Sequence, residues 1–464
     1  MTDRHPDAPL PALRPSPDRT PLVTRRRLLL SAAAGAGLVV AGPLLAACGG
    51  SDESESLAAA TGEVDAAGVT LKLAVNQPHR LAFTDVLGPL WEQETGGKLE
   101  VTAIPYDQLT SKQVLDAQSG AGEFDLFDYF YFGLGALVDA GALVDLTEWI
   151  DSRPDIGTAD FLPGIYDNYT LYDGKRWGLP YDGDLHILFY NKELFDRFDL
   201  EPPKTWDEYN AAAKTITQGG DGKFYGAVFQ GQQVPMILGA SYINRLAGYG
   251  GELLDSDGNP ALTSDAAVEA LESLVAVTQW SYPTPLQTGF DQANTAFLSG
   301  QGALIDTWTD LSLRAEDPSV SKIQGKWGAT TLPVGGANTT PRTALEAGFG
   351  IGVSAGSKNR EVAARFVEWS TTRANNLKQA STPGAGIDAN RTSVLGSSEY
   401  AAALPEAIEA IRTSWAGNPL AWPRDANSPK LLQDLTDQLA LAIQGEKDAR
   451  SALQAAQDAW ESQT

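Results

Sequence analysis

The run at 178–219, GLPYDGDLHILFYNKELFDRFDLEPPKTWDEYNAAAKTITQG, constrains the fold more than any other part of the chain. Residues 185–190 (LHILFY) form an apolar and aromatic stretch of strand length, with Asp182 and Asp184 where the chain enters it. Asn191-Lys192 closes that strand, and 193–198 reads as a short helix. Pro202-Pro203 lacks the N–H groups a continuing helix needs and fixes an extended entry. Thr205, with Glu208 three residues on, then forms a capping box that opens a helix over 206–216.

The same alternation fills the preceding hundred residues. Strands are expected at 69–75 (VTLKLAV), 99–104 and 124–127, with helices at 84–95, interrupted by Gly88-Pro89, and at 108–118. Strand and helix in turn indicate an α/β chain with doubly wound sheets, in which ligands lie beyond the carboxyl ends of strands. That rule selects Asn76-Gln77-Pro78-His79 after the first strand and Asp128-Tyr129-Phe130-Tyr131 after the third. Four consecutive aromatics from Tyr129 exceed what one strand face can bury, so at least one is expected to face a cleft. His79 reads equally as surface or ligand contact, and His186 as a packed, hydrogen-bonded strand residue.

Three pieces, Gly178-Leu179-Pro180-Tyr181, Tyr190-Asn191-Lys192 and Pro202-Pro203-Lys204-Thr205-Trp206, follow one another as in the extracellular solute-binding proteins of carbohydrate ABC importers, the family that includes maltose-binding protein. The chain resembles that family from residue 69 onwards. Phe297-Leu298-Ser299-Gly300-Gln301-Gly302-Ala303 resembles its Phe-x-x-Gly-x-x-Ala stretch, 344–359 with the helix at 360–371 its return to the first lobe, and 384–395 its final crossing. Helices at 431–445 and 448–460 resemble its paired closing helices. The resemblance implies two periplasmic-binding-protein-like lobes with three crossovers at a hinge: 69–184 plus 347–388, and 185–346 plus 389–464. It further implies a sugar or polyol clamped between them and handed to permease subunits served by a cytoplasmic ATPase, with no cofactor and a monomeric receptor. The ligand set it suggests is Asp184, Asp182, Tyr129, Tyr131, Asp128, Trp308, Trp422, His79, Gln77, Glu346, Gly348 and Arg391. Arg391 stands in Ala389-Asn390-Arg391, where relatives often show Pro-x-Arg.

Residues 1–47 read as an export signal. Thr24-Arg25-Arg26-Arg27-Leu28-Leu29 is a twin-arginine pattern, and an uncharged stretch then ends in Leu45-Ala46-Ala47-Cys48, which resembles a lipobox. Cleavage before Cys48 and its acylation would hold the protein on the outer face of the cytoplasmic membrane, with 48–68 (CGGSDESESLAAATGEVDAAG) as a flexible tether. An uncleaved membrane anchor is the alternative. Cys48 is the only cysteine, so no intramolecular disulfide and no cysteine-based zinc site can form. Removing six basic and three acidic groups with the signal, from 34 and 59, leaves 28 against 56. So acidic a surface argues against nucleic acid or anionic lipid as partner.

Gly352-Val353-Ser354-Ala355-Gly356 matches a nucleophile elbow, but no histidine follows His186, so the triad cannot be completed. The turn at 255–259 lacks the Gly and Glu of a calcium loop. Paired carboxylates, Asp182 with Asp184 foremost, keep an extracellular glycoside hydrolase open as the rival class. A binding protein for a peptide or iron carrier is the other alternative.

Overall fold

A computed structural model describes residues 56–59, 62, 64–345 and 348–463. The signal segment, Cys48 and Glu346 lie outside these residues.

Eleven strands are present among the described residues. β1 (Thr70–Asn76), β2 (Lys98–Ile104), β3 (Leu126–Phe130), β6 (Leu179–Asp182) and β11 (Phe349–Val353) make a five-stranded sheet in the order β2-β1-β3-β11-β6. β1 runs parallel to β2 and β3, and β11 antiparallel to β3 and β6. β7 (His186–Asn191), β8 (Tyr225–Ala227), β9 (Gly302–Trp308) and β10 (Trp327–Thr330) make a second sheet in the order β10-β7-β9-β8. The short pair β4 (Leu171–Tyr172) and β5 (Lys175–Arg176) stands apart. This is a two-lobed α/β architecture with mixed sheets, and the chain moves between them from β6 to β7 and from β10 to β11.

Local sequence explains the elements around the first passage. Asn191 caps the helix Lys192–Arg197 through its side chain, accepting from the Leu194 amide at 3.2 Å. Both halves of the Thr205/Glu208 capping box form, and the helix Trp206–Gly219 buries Trp206, Tyr209, Ala213 and Ile216 against β7 and β9 residues. The interruption expected at Gly88-Pro89 is a change of winding, with a wide π turn over Ala82–Leu87 passing into an α-helix over Gly88–Thr95.

One expected boundary is corrected. The third strand ends at Phe130, not 127, so Asp128, Tyr129 and Phe130 are strand residues rather than a loop. β3 lies between β1 and β11, both its faces are covered, and Tyr129 and Phe130 are equally buried. Gly350, paired with Tyr129, makes this possible: a Cβ there would lie 2.4 Å from the phenol oxygen.

The strand crossing at 182–185 is braced by a distant segment. Gly183 packs so closely on Ala389 that a Cβ would lie 2.1 Å from the Ala389 carbonyl oxygen. The Asp388 amide donates to Asp182 Oδ1 at 2.7 Å, and Asn390 Nδ2 donates to the Pro180 carbonyl at 3.1 Å. The stretch that follows is tied to 154–161, since Phe161 and Arg391 form an antiparallel bridge.

Candidate functional site: a cleft walled by both sheets

The ends of strands from both sheets surround a cleft. Asn76 ends β1 with Pro78 and His79 beyond it, Tyr106 follows β2, Asp184 follows β6, and Phe349 opens β11. The other wall comes from Met236, Ile237 and Phe290, with Trp308 at the end of β9 and Asp310 just beyond it. Gly386 completes the lining.

The aromatic surface is built edge to face. Trp308 meets His186 at 4.3 Å between ring centres and 82°, and Phe290 at 5.3 Å and 72°. His186 is held in strand β7 with its imidazole pushed down to about 3 by burial, so it stays neutral. Opposite, His79 lies 4.4 Å from Phe349.

Beneath these rings is a buried polar cluster. The Tyr181 hydroxyl donates to Asp128 Oδ2 at 2.9 Å, the Asn76 amide donates to the same oxygen at 2.8 Å, and His79 Nδ1 contacts both groups. His79 Nε2 lies 3.5 Å from Asp182 Oδ2. Burial, then the Asp388 charge, hold the Asp182 carboxyl well above the usual range. Burial and the neighbouring Asp310 push Asp388 up to about 8, against the lowering influence of Thr309 and Asp184. Asp310 is raised by burial, against the lowering fields of Arg314 and His79.

A second cavity adjoins the first, lined by Gln77, Pro105, Asp107, Gln232 and Asp291. Pro78, Tyr106 and Phe290 line both cavities. The Tyr106 hydroxyl donates to Gln232 Oε1, a bond from the loop after β2 to the opposite wall.

The residues expected at the site separate into two groups. His79, Asp184 and Trp308 line the cleft, Asp128 and Asp182 support His79 from beneath, and the exposed Gln77 lines the outer cavity. The remainder are away from it. Tyr129 donates to the Tyr169 carbonyl at 3.1 Å. Tyr131 donates to the Leu345 carbonyl at 2.9 Å and accepts from the Trp422 amide at 2.7 Å, while the Trp422 ring packs 5.5 Å from Phe132. Gly348 gives room to the Tyr169 ring, since a Cβ would sit 1.9 Å from its hydroxyl oxygen. Arg391 donates to the carbonyls of Thr371, Gly157 and Ile156 and lies 4.3 Å over the Phe161 ring. All four expected aromatics from Tyr129 to Phe132 are buried, and none lines the cleft.

Sequence reasoning missed Tyr106, Phe290, Asp310, Phe349 and Asp388. Asp310 carried a usable signal, because it follows a buried strand end directly. Asp388 carried none. In the 255–259 turn the Asp255 carboxylate accepts from the Asp257 and Asn259 amides, which makes it a self-bonded polar turn.

The comparisons with known proteins agree with this geometry. The family model described as bacterial extracellular solute-binding protein matches residues 74–377. A probable amino-acid ABC transporter periplasmic-binding protein of Sinorhizobium fredii is 27% identical over 286 residues, 60% of this chain and 63% of that protein. The match thus spans less than two thirds of that relative's length. A mannitol-binding protein of Pseudomonas aeruginosa is 23% identical over 70% of this chain and 74% of its own. Among solved structures, an ABC transporter solute-binding protein of Agrobacterium radiobacter in complex with ribitol has a TM-score of 0.77 at 26% identity, covering 86% of this chain and 100% of that one. Maltose-bound MalE3 of T. maritima shares the fold, with a TM-score of 0.75 at 21% identity over 85% of this chain and 100% of its own. These are solute-binding proteins and not enzymes, which removes the glycoside hydrolase reading. By the extent of the family match, the chain belongs to the bacterial extracellular solute-binding proteins.

Proposed function

We propose that this chain is the extracytoplasmic receptor of an ABC importer and binds a sugar or polyol in the cleft between its sheets. The observation that carries this reading is the lining itself: the rings of Trp308, Phe290 and Tyr106 facing the carboxylates of Asp184 and Asp310. A polyhydroxylated ligand has apolar C–H faces that stack on rings and hydroxyls that donate to carboxylates, so this combination meets both of its chemistries. The solved relatives support it, one holding ribitol and another, from Agrobacterium vitis, holding D-mannitol.

In this reading Asp184, Trp308 and His79 touch ligand, while Asp128 and Asp182 orient His79. Tyr129, Tyr131, Trp422, Gly348 and Arg391 hold the scaffold. The lobes are 69–184 with 347–388, and 185–346 with 389–464, and they close by hinge motion on the ligand to form the surface a permease reads. Export follows the twin-arginine pattern, Cys48 carries the lipid anchor, and the receptor works as a monomer.

A second reading, an amino-acid ligand, has support in the name of the Sinorhizobium relative. Against it, no lysine or arginine is among the described residues lining the cleft to meet an α-carboxylate. A thermal-shift screen of sugars, alditols, amino acids, peptides and metal chelates decides between them. A ligand at 100 times its Kd adds about 2.7 kcal/mol of apparent stability. Absence of any shift with sugars and alditols at millimolar concentration would overturn the proposal.

A further inference from the structure

The inner cleft and the outer cavity share a boundary of three residues, Pro78, Tyr106 and Phe290. Inside it are the buried groups of the site, His79, Asp184 and Trp308. Outside it Gln77, Asp107 and Asp291 are exposed to solvent, with Gln232 half-buried beside them. Packing sets two of the boundary members. Phe290 lies edge to face on Trp308, and Pro78 lies so close to Gly386 that a Cβ there would be 3.0 Å from the Pro78 carbonyl oxygen. Tyr106 is placed differently. A turn closed by the Gln108 amide on the Pro105 carbonyl at 2.9 Å presents its ring from the first sheet, and its hydroxyl donates to Gln232 Oε1 on the opposite wall. The acceptor is itself fixed, because the Gln232 amide donates to the Thr288 carbonyl at 3.1 Å and its carbonyl accepts from the Val234 amide at 2.7 Å. Gly289 completes the seat, since a Cβ there would lie 2.2 Å from Gln232 Oε1. Burial, then the Asp107 charge, hold the Tyr106 phenol above its usual range, so the hydroxyl keeps its proton and stays the donor.

The outer cavity repeats the chemistry of the inner one. It offers the amides of Gln77 and Gln232 and the carboxylates of Asp107 and Asp291 beside the apolar faces of Pro78, Tyr106 and Phe290, a pairing that suits the hydroxyls and C–H faces of a further sugar ring. A ligand long enough to occupy both spaces has to pass the Tyr106 ring. Doing so moves the ring off its seat and leaves the phenol and Gln232 Oε1 to find new partners, a cost that a ligand confined to the inner cleft does not meet. We infer that Tyr106, anchored by Gln232, sets the length of the ligand: the receptor takes a single alditol or monosaccharide unit in the inner cleft and rejects glycosides that extend outward from it. The outer cavity is a sugar subsite that this ring keeps shut off. Such selectivity comes from an obstructing group and not from a lack of contacts for the longer ligand, so removing the obstruction should create binding.

The length limit rests on the sugar or polyol reading above and narrows it to ligands of one unit. The test is calorimetric titration of the unliganded protein with ribitol, mannitol and glucitol, each beside its terminally O-glucosylated forms. In the wild type an alditol that binds should do so at least tenfold more tightly than its glucosylated forms. Tyr106→Ala removes the ring and should raise affinity for a glucosylated form at least tenfold without tightening the parent alditol, a gain that a general loss of structure does not produce. Tyr106→Phe keeps the ring but loses its anchor, and the same affinity should rise at least threefold. A glucosylated form that binds the wild type within tenfold of its parent, or more tightly, overturns the inference and leaves the polyol reading standing. A gain below threefold in both variants does the same. Silence from every alditol and every glucosylated form in the wild type overturns the inference together with that reading.

Discussion

Asp388→Asn should make the protein less sensitive to alkaline pH. In the wild type Asp388 is 4% exposed, feels Asp184 and Thr309 beside its carboxyl, and donates its backbone amide to Asp182. Asp182, Asp184 and Asp310 are its carboxyl neighbours, with His79 as the base beside Asp182 and the Tyr400 phenol raised in turn by burial and by Asp388. An unfolded aspartate titrates near 3.9, whereas folded Asp388 is pushed up to about 8. Between those values the native state holds a proton that the unfolded chain has released. The stabilisation is therefore full below about pH 4 and is lost as pH rises through about 8. One proton corresponds to about 1.4 kcal/mol per pH unit, so moving from pH 5 to 7 removes about 3 kcal/mol. At about 2.1 cal/mol/K of unfolding entropy per residue, a chain of 464 residues loses about 3 °C in Tm. An asparagine amide copies the neutral, donating acid and cannot ionise. Calorimetric melting of the unliganded protein at pH 5, 6, 7 and 8 should give a Tm profile flatter by about one proton in the variant. Repulsion from the net charge of −25 tilts both profiles alike and cancels in the comparison. Parallel profiles for wild type and variant would refute the reasoning.

Asp184→Ala should weaken sugar or polyol affinity about 10- to 150-fold, from the roughly 1.5–3 kcal/mol of a hydrogen bond to a charged acceptor; an unaltered Kd by calorimetry removes the residue from the site. Tyr106→Phe deletes the bond to Gln232 across the cleft, and at about 0.5–1.5 kcal/mol the ligand should leave about two- to twelvefold faster. Stopped-flow fluorescence that finds the same off-rate would show that the bond does not retain ligand. Cys48→Ser should move the protein from the membrane fraction to a soluble or uncleaved form, and continued acylation of the variant by metabolic lipid labelling contradicts the lipobox.

What the sequence made legible was local. The Thr205/Glu208 box and the strand β7 depend on neighbours within a few residues, and each could be read from spacing. The run from Tyr129 misled because its environment is set by remote partners. A strand flanked by β1 and β11 buries both faces, and its tyrosine hydroxyls find carbonyls at Tyr169 and Leu345 rather than a ligand. Arg391 misled for a similar reason: three carbonyls and a ring satisfy a guanidinium that, from sequence alone, looks free to bind.

Sheet order explains how segments so far apart in the chain meet at one cleft. β1, β3 and β6 share a direction, so their carboxyl ends lie along one edge of the first sheet. β11 runs the other way, and its first residue, Phe349, therefore pairs with Phe130 at the end of β3 and with Asp182 at the end of β6. The chain leaves that edge through Gly183 and Asp184 and enters β7 at His186. His186 pairs with Trp308 because β9 is antiparallel to β7, which brings the end of β9 to the start of β7. A reading from strand ends alone thus yields His79, Asp184, Trp308 and Asp310, the groups that ring the cleft. Asp388 escapes that reading because it is on no strand. It reaches the cluster only through the close packing of Gly183 on Ala389, a contact that a single side-chain carbon at residue 183 would abolish.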